Sequence, residues 1–372
     1  MHSSLQLVLI LLAVAVLVAA TARALRLPTL LGYLLTGIAI GPFALGWIPD
    51  SEEARYLAEF GVVFLMFSIG LEFSLPRLMT MRTTVFGFGG AQVVVTIALT
   101  ALVAWLLDLP LLAAIALGGI MAMSSTAIVS KLLAERMELQ TPHGRQIFGA
   151  LLFQDLAVVP LLILIPAFAK DADDMGLVLG LAVLKAIAVL GFLLFVGQRV
   201  MRPWFQWVAA RKSPELFTLN LLLFTLGLAF LTESAGLSLA LGAFLAGMLI
   251  SETEYRYQVE DDIKPFRDVL LGLFFVTIGM RLDPMQVVAN WGDVLRIVAA
   301  ILIGKGALVA GLAMTFGSTR PTAVRTALGL AQAGEFGFVL LAQAADLKLM
   351  GATITQPVLA AMVLSMLIAP LL

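Results

Sequence analysis

Apolar stretches long enough to cross a membrane recur from one end of the chain to the other. At ~20 residues per crossing, the pattern predicts thirteen spans. They lie near residues 4–22, 29–48, 57–73, 84–107, 111–133, 145–167, 176–198, 215–232, 235–250, 266–283, 293–316, 322–345 and 354–372. Spans of that length consume ~260 positions, and the rest suffices only for loops and tails. The first run carries its basic residues, Arg23 and Arg26, after the apolar segment rather than before it. That order predicts a retained helix rather than a cleaved signal peptide.

Assigning every Lys and Arg to a side orients the chain. With the N-terminus outside, sixteen fall in cytoplasmic loops and five (Arg55, Lys170, Arg281, Arg296 and Lys348) outside, leaving Lys185 and Lys305 within spans. The excess of inner positive charge predicts an external N-terminus and a cytoplasmic C-terminus.

The second and ninth spans share a pattern at an offset of 210 residues: Leu31-Gly32, Leu35, Gly37, Ile40 and Leu241-Gly242, Leu245, Gly247, Ile250. In the third and tenth, Ser68-Ile69-Gly70-Leu71 matches Thr277-Ile278-Gly279-Met280. A displacement of seven spans reverses direction through the bilayer. The pattern therefore predicts two inverted repeats, residues 1–167 and 215–372, joined by a linking helix at 176–198. Many secondary transporters share this all-α architecture and bind substrate near the midplane, where corresponding helices are interrupted.

Such interruptions are present. Ser124-Ser125-Thr126 breaks the apolar run of the fifth span, and adding 210 to Ser124 and Ser125 leads to Gly334 and Glu335. Gln154-Asp155 sits in the middle of the sixth span and Lys305, between Gly304 and Gly306, in the middle of the eleventh. Ionisable side chains at mid-membrane are costly and mark ion pathways. Asp155 and Lys305 are expected to face each other across the repeats. Glu72 and Glu233 are expected at the membrane interface, Gln92 and Asn220 in helix–helix hydrogen bonds, and Lys185 receives no role.

Composition narrows the classes. Charged residues make up 13% of the chain, against about 25% in soluble proteins, and no basic stripe exists for nucleic acid. With no Cys and two His, thiolate chemistry and cysteine-ligated metal sites drop out. No nucleophile–base pair can be placed, so the chain is not expected to be an enzyme.

As a set, Ser124-Ser125-Thr126, Gln154-Asp155, Lys305 and Gly334-Glu335-Phe336 resemble the Kef-type potassium/proton antiporters of the monovalent cation:proton antiporter superfamily. Gly41-Pro42, Ile69-Gly70-Leu71-Glu72 and Leu271-Gly272-Leu273-Phe274-Phe275 extend the resemblance over essentially the whole chain.

The resemblance implies a sodium/proton antiporter fold of thirteen helices, with a dimerisation scaffold and a mobile core in which the fifth and twelfth helices are broken and cross. It also implies a homodimer in the lipid bilayer, expected in the bacterial inner membrane. Gln154 stands where sodium-exchanging electrogenic relatives usually carry a second aspartate, which argues for K⁺ and against two-proton stoichiometry. Full-length members continue into a cytoplasmic nucleotide-binding domain, expected to be absent from this chain. Glu260, Asp261 and Asp262 resemble the acidic regulatory loop that contacts it.

In the mechanism expected, Asp155 binds either a proton or a monovalent cation, with oxygens of Ser124, Ser125, Thr126 and Gln154 completing the shell and Lys305 and Glu335 at the same site. No cofactor is expected beyond the transported K⁺ (or Na⁺) and H⁺. The alternatives are a Na⁺/H⁺ antiporter of the same fold, a gated potassium efflux channel, and a non-transporting membrane sensor.

Overall fold

The computed structural model describes residues 29–48, 52–72, 79–169 and 175–371, with isolated positions 9, 13, 16–18, 20 and 21. The first predicted span and Arg23, Arg26, Arg77 and Lys170 fall largely or wholly outside the described residues. All regular structure among the described residues is helical. In chain order the helices are α1 (Thr29–Ile40), α2 (Glu52–Glu72), α3 (Thr83–Leu106), α4 (Leu111–Ala122), α5 (Thr126–Glu135), α6 (Pro142–Phe168) and α7 (Met175–Ala209). They continue as α8 (Pro214–Ser234), α9 (Leu239–Ser251), α10 (Arg256–Met280), α11 (Pro284–Ala289), α12 (Trp291–Thr315), α13 (Arg320–Leu330), α14 (Glu335–Asp346) and α15 (Ala352–Ile368).

The expected count of thirteen spans is not reached among the described residues. Six stretches among the described residues are long and apolar enough to cross a membrane, one of them the interrupted α4–α5 run, and the α13–α14 pair, bent by 45°, makes a seventh. Helices α1 and α9 are apolar but short. The second predicted span ends at Ile40 instead of continuing to 48 because Gly41 precedes Pro42, and a residue before proline is pushed out of helical conformation. The ninth starts at Leu239 rather than 235, since Gly236 has φ +74° and the Ser238 hydroxyl caps the helix by accepting from the Leu241 N–H. The acidic segment Glu260-Asp261-Asp262 is not a loop. It lies within α10, held by Val259 and Ile263, buried one turn apart.

Helix α2 packs along α9 and α10, and α1 along α10. These crossings depend on small residues. A Cβ on Gly247 would lie 2.0 Å from the Phe67 carbonyl oxygen, and one on Gly70 would lie 2.0 Å from that of Phe244. The α1–α10 contact has the same form, with Gly37 against Val276 and Gly279, and Gly279 against Leu34 and Gly37. Backbones approach this closely in membrane helix pairs because no side chain intervenes. Gly247→Val is expected to lower stability by about 3 kcal/mol or more. Gly311→Ala, where nothing among the described residues lies within 4 Å of the added carbon, is expected to leave it unchanged or raised. Thermal unfolding of the purified variants in detergent checks both.

The second layer contains α3, α4, α6, α12, α13 and α14, with α4 against α3, α13 and α14 against α6, and α12 against α13. Two of its helices carry π-helical stretches, Thr83–Gly89 at the start of α3 and Ala300–Lys305 within α12. Such stretches often mark functional positions, and the second one ends on Lys305.

Candidate functional site: two crossed helix breaks

Between α4 and α5 the chain runs extended, with Met123 at φ −72°, ψ 141° and Ser125 at φ −75°, ψ 111°. Between α13 and α14 Gly334 is likewise extended, at φ −125°, ψ 165°. The two breaks touch. A Cβ on Gly334 would sit 2.4 Å from the Ser124 carbonyl carbon, so glycine is required there by close approach.

Breaking a helix inside hydrocarbon frees backbone groups that water cannot satisfy. Here the freed groups at the two breaks have partners, most of them from other helices and one from a local cap. At the end of α4, the Ala122 carbonyl accepts from Gln92 Nε2 at 3.2 Å and the Met123 carbonyl from Lys305 Nζ at 2.7 Å. The Ser124 N–H donates to Gln154 Oε1 at 2.7 Å. At the end of α13, the Leu330 carbonyl accepts from the Ser124 hydroxyl at 2.8 Å and the Gln332 carbonyl from Lys305 Nζ at 3.2 Å. The Ala333 N–H donates to Ser365 Oγ at 3.1 Å. At the start of α5, the Ile128 N–H donates to Ser125 Oγ and the Ala127 N–H to Glu335 Oε1, each at 3.2 Å.

The charges match the helix dipoles. The Lys305 ammonium faces the carbonyl ends of α4 and α13, and the Glu335 carboxylate faces the N-terminus of α5; each sign meets its opposite partial charge. Lys305 and Glu335 are both 5% exposed.

The expected Asp155–Lys305 pair does not form. An ammonium has three protons to donate, and those of Lys305 go to Met123, Gln332 and, at 2.9 Å, Ser124 Oγ. Among the described residues no Lys or Arg lies within 4.0 Å of the Asp155 carboxylate. Nor does a helix approach through Gly304, which among the described residues has nothing within 4 Å of an added Cβ.

The predicted residues thus separate by task. Ser124 is filled: its hydroxyl donates to Leu330 and accepts from Lys305 and, at 3.3 Å, from Gln154 Nε2. Gln154, 1% exposed, braces the crossing and passes its other proton to Gln92 Oε1 at 2.7 Å. Asp155 is different. It is only partly buried, and its Oδ1 accepts from the Thr126 hydroxyl at 3.3 Å. Glu335 keeps Oε2 without a hydrogen-bond partner among the described residues.

Gln92 acts as the helix–helix tether the sequence suggested, and Asn220 accepts from Trp204 Nε1. Ser365 was not singled out; its only signal is a lone hydroxyl in the apolar run of the last helix. Glu72 and Glu233 are exposed near the ends of α2 and α8.

Crossed, interrupted helices with charge-compensated ends inside an apolar bundle define a membrane ion-carrier fold. The backbone superposes on a sodium proton antiporter of Methanocaldococcus jannaschii with a TM-score of 0.71 at 18% identity, covering 97% of this chain and 94% of that one. The family model described as the transmembrane sodium/hydrogen exchanger matches residues 10–372, and the chain belongs to that family, one of membrane transporters rather than enzymes.

Two relatives from Arabidopsis thaliana, named chloroplastic K(+) efflux antiporters 1 and 2, are each 43% identical over 91% of this chain and over 29% and 30% of their own lengths. A protein of Alkalimonas amylolytica, provisionally named a K(+) efflux antiporter, KefB, is 42% identical over 92% of this chain and 52% of its own. The chain therefore spans about half or less of the length of these relatives. It is an integral membrane protein whose surroundings are lipid.

Proposed function

We propose that this chain is the exchange module of a secondary antiporter that trades a monovalent cation, K⁺, for H⁺ by alternating access. The observation that carries this reading is the contrast at the crossing. Lys305 has spent its donors and Ser124 its hydroxyl, whereas Asp155 has a carboxylate that is partly exposed and bonded only to Thr126 among the described residues.

A proton and a cation compete for that carboxylate. Thr126 and Ser125 oxygens, with Glu335 beside them, complete the shell, while Lys305, Ser124 and Gln154 keep the breaks in register. With Lys305 charged throughout, exchanging one K⁺ for one H⁺ moves no net charge.

The choice of K⁺ rests on the names of the relatives and on Gln154 preceding the carboxylate. The inverted repeat is supported by the two glycine contacts, because Gly37 with Gly279 becomes Gly247 with Gly70 when the sequence offset is applied. The π-helical stretches and the breaks also fall in corresponding spans. The same reading takes the protein as a homodimer in a bacterial inner membrane, N-terminus outside, with the helical acidic segment Glu260–Asp262 turned toward a nucleotide-binding domain of the longer protein.

Purified protein in liposomes carrying a pH-sensitive dye tests it. At a fixed pH gradient K⁺ is expected to drive the largest proton flux among K⁺, Rb⁺, Na⁺ and Li⁺. Larger flux with Na⁺ or Li⁺ would shift the assignment to a Na⁺/H⁺ exchanger, and K⁺ movement without protons would replace it by a channel.

A further inference from the structure

Polar contacts tie the two layers together at the end of the bundle where α10 turns into α11. Arg281, the first residue after α10, directs its guanidinium at Asp346, the last residue of α14, with Nη1 2.8 Å from Oδ1 and Nη2 3.3 Å from Oδ2. Gln356, near the start of α15, meets the same corner through both ends of its amide. Its Nε2 donates to the Arg281 carbonyl at 2.7 Å, and its Oε1 accepts from the Asp283 N–H at 3.0 Å. The Asp283 carboxylate holds that corner by accepting from the Met285 and Gln286 N–H groups at the start of α11. Because α15 packs on α12 and α14, these contacts join the first layer to the second.

An apolar contact lies beneath the polar one. Phe275 of α10 and Phe338 of α14, both 0% exposed, meet edge to face with ring centroids 6.1 Å apart at 86°. They sit about two turns deeper along their helices than Arg281 and Asp346. Along α14, Asp346, Ala342, Phe338 and Glu335 recur at the three- and four-residue spacing of one helix face. The face that leads from the surface to the crossing is thus closed twice, by a clasp at the rim and by two rings below it.

We infer that Arg281, Asp346 and Gln356, over Phe275 and Phe338, form the outer gate of the exchange path, shut in this conformation. The inference rests on alternating access and on the orientation proposed above, which puts this end outside and leaves the opposite end as the route to Asp155.

The strength of the clasp suits a part that opens in every cycle. The Arg281 and Asp346 side chains are 29% and 58% exposed, so water replaces their contacts at little cost. Parting the two rings leaves no buried polar group without a partner. Weak ties of this kind bias a two-state equilibrium without locking it.

The chain contains no Cys, so a single introduced thiol reports alone. Ala342→Cys, at a half-buried position between Phe338 and Asp346, reads the gate. Met285→Cys, replacing a side chain 77% exposed on α11, reads free access. Ala313→Cys, at a buried position near the opposite end of the second layer, reads general loosening. The measurement is the rate of reaction with a charged, membrane-impermeant maleimide in detergent.

Asp346→Asn combined with Gln356→Leu is expected to speed labelling at position 342 about tenfold, and Asp346→Asn alone about threefold, with positions 285 and 313 unchanged. An unaltered rate at 342 in a double variant that elutes as wild type, or an equal acceleration at 313, would overturn the gate. In sealed vesicles of known sidedness Met285→Cys should react from the outside, and reaction only from the inside would overturn its placement at the outer mouth. The rates are read without K⁺ or transport, so the gate and the antiport assay fail independently.

Discussion

Asp155→Asn is expected to yield a folded membrane protein that no longer moves protons when K⁺ is supplied. The substitution is nearly isosteric, and the amide oxygen still accepts from the Thr126 hydroxyl now 3.3 Å from Oδ1. No ion pair is broken, because none is formed among the described residues. The crossing, braced by Lys305, Gln154 and Gln92, loses nothing.

What disappears is the only property that lets proton and cation compete, a carboxylate able to change charge at mid-membrane. Flux in liposomes should fall to about a hundredth of wild type or less, while elution volume and unfolding midpoint stay within the wild-type range. Substantial exchange in a folded Asp155→Asn protein would remove Asp155 from the mechanism and leave Glu335, whose Oε2 has no partner among the described residues, as the competing carboxylate.

The depth of the site was legible in the sequence because hydrocarbon punishes polarity: Ser124-Ser125-Thr126, Asp155, Lys305 and Glu335 stand out against apolar neighbours. The offset of 210 residues placed Gly334 opposite Ser124, and the two do meet. Pairing was not legible. Scarce opposite charges suggested Asp155 with Lys305, whereas the ammonium is consumed by backbone carbonyls at helix ends.

Those carbonyls exist only because both helices break at the same depth, and a sequence lists side chains without showing which backbone groups have been freed. Ser365 was missed for the same reason, since its partner is the N–H of Ala333. Span ends were misplaced where proline, or a positive-φ glycine and a serine cap, stopped a helix inside an apolar run, as at Gly41-Pro42 and Gly236.

Lys305→Met should damage the protein in a different way, through the fold rather than the ion. Methionine keeps the length and apolar body of the side chain but removes the donors serving Met123, Gln332 and Ser124. Each of the two carbonyls then becomes a buried acceptor without a partner, at roughly 1–3 kcal/mol apiece. The carbonyl ends of α4 and α13 also lose the cation that offsets their partial charge. Removing a buried charge recovers some desolvation energy, so a net loss of about 2–4 kcal/mol is expected, with Lys305→Gln intermediate because its amide still donates. Unfolding midpoints of the two variants check the order.

A double-mutant cycle with Asp155→Asn then separates the observed geometry from the ion pair it replaces. If Lys305 served Asp155, the two substitutions would couple by several kcal/mol, as contacting charges do. With the ammonium bound to the helix ends instead, the effects should add to within about 0.5 kcal/mol, and larger coupling would restore the direct pair.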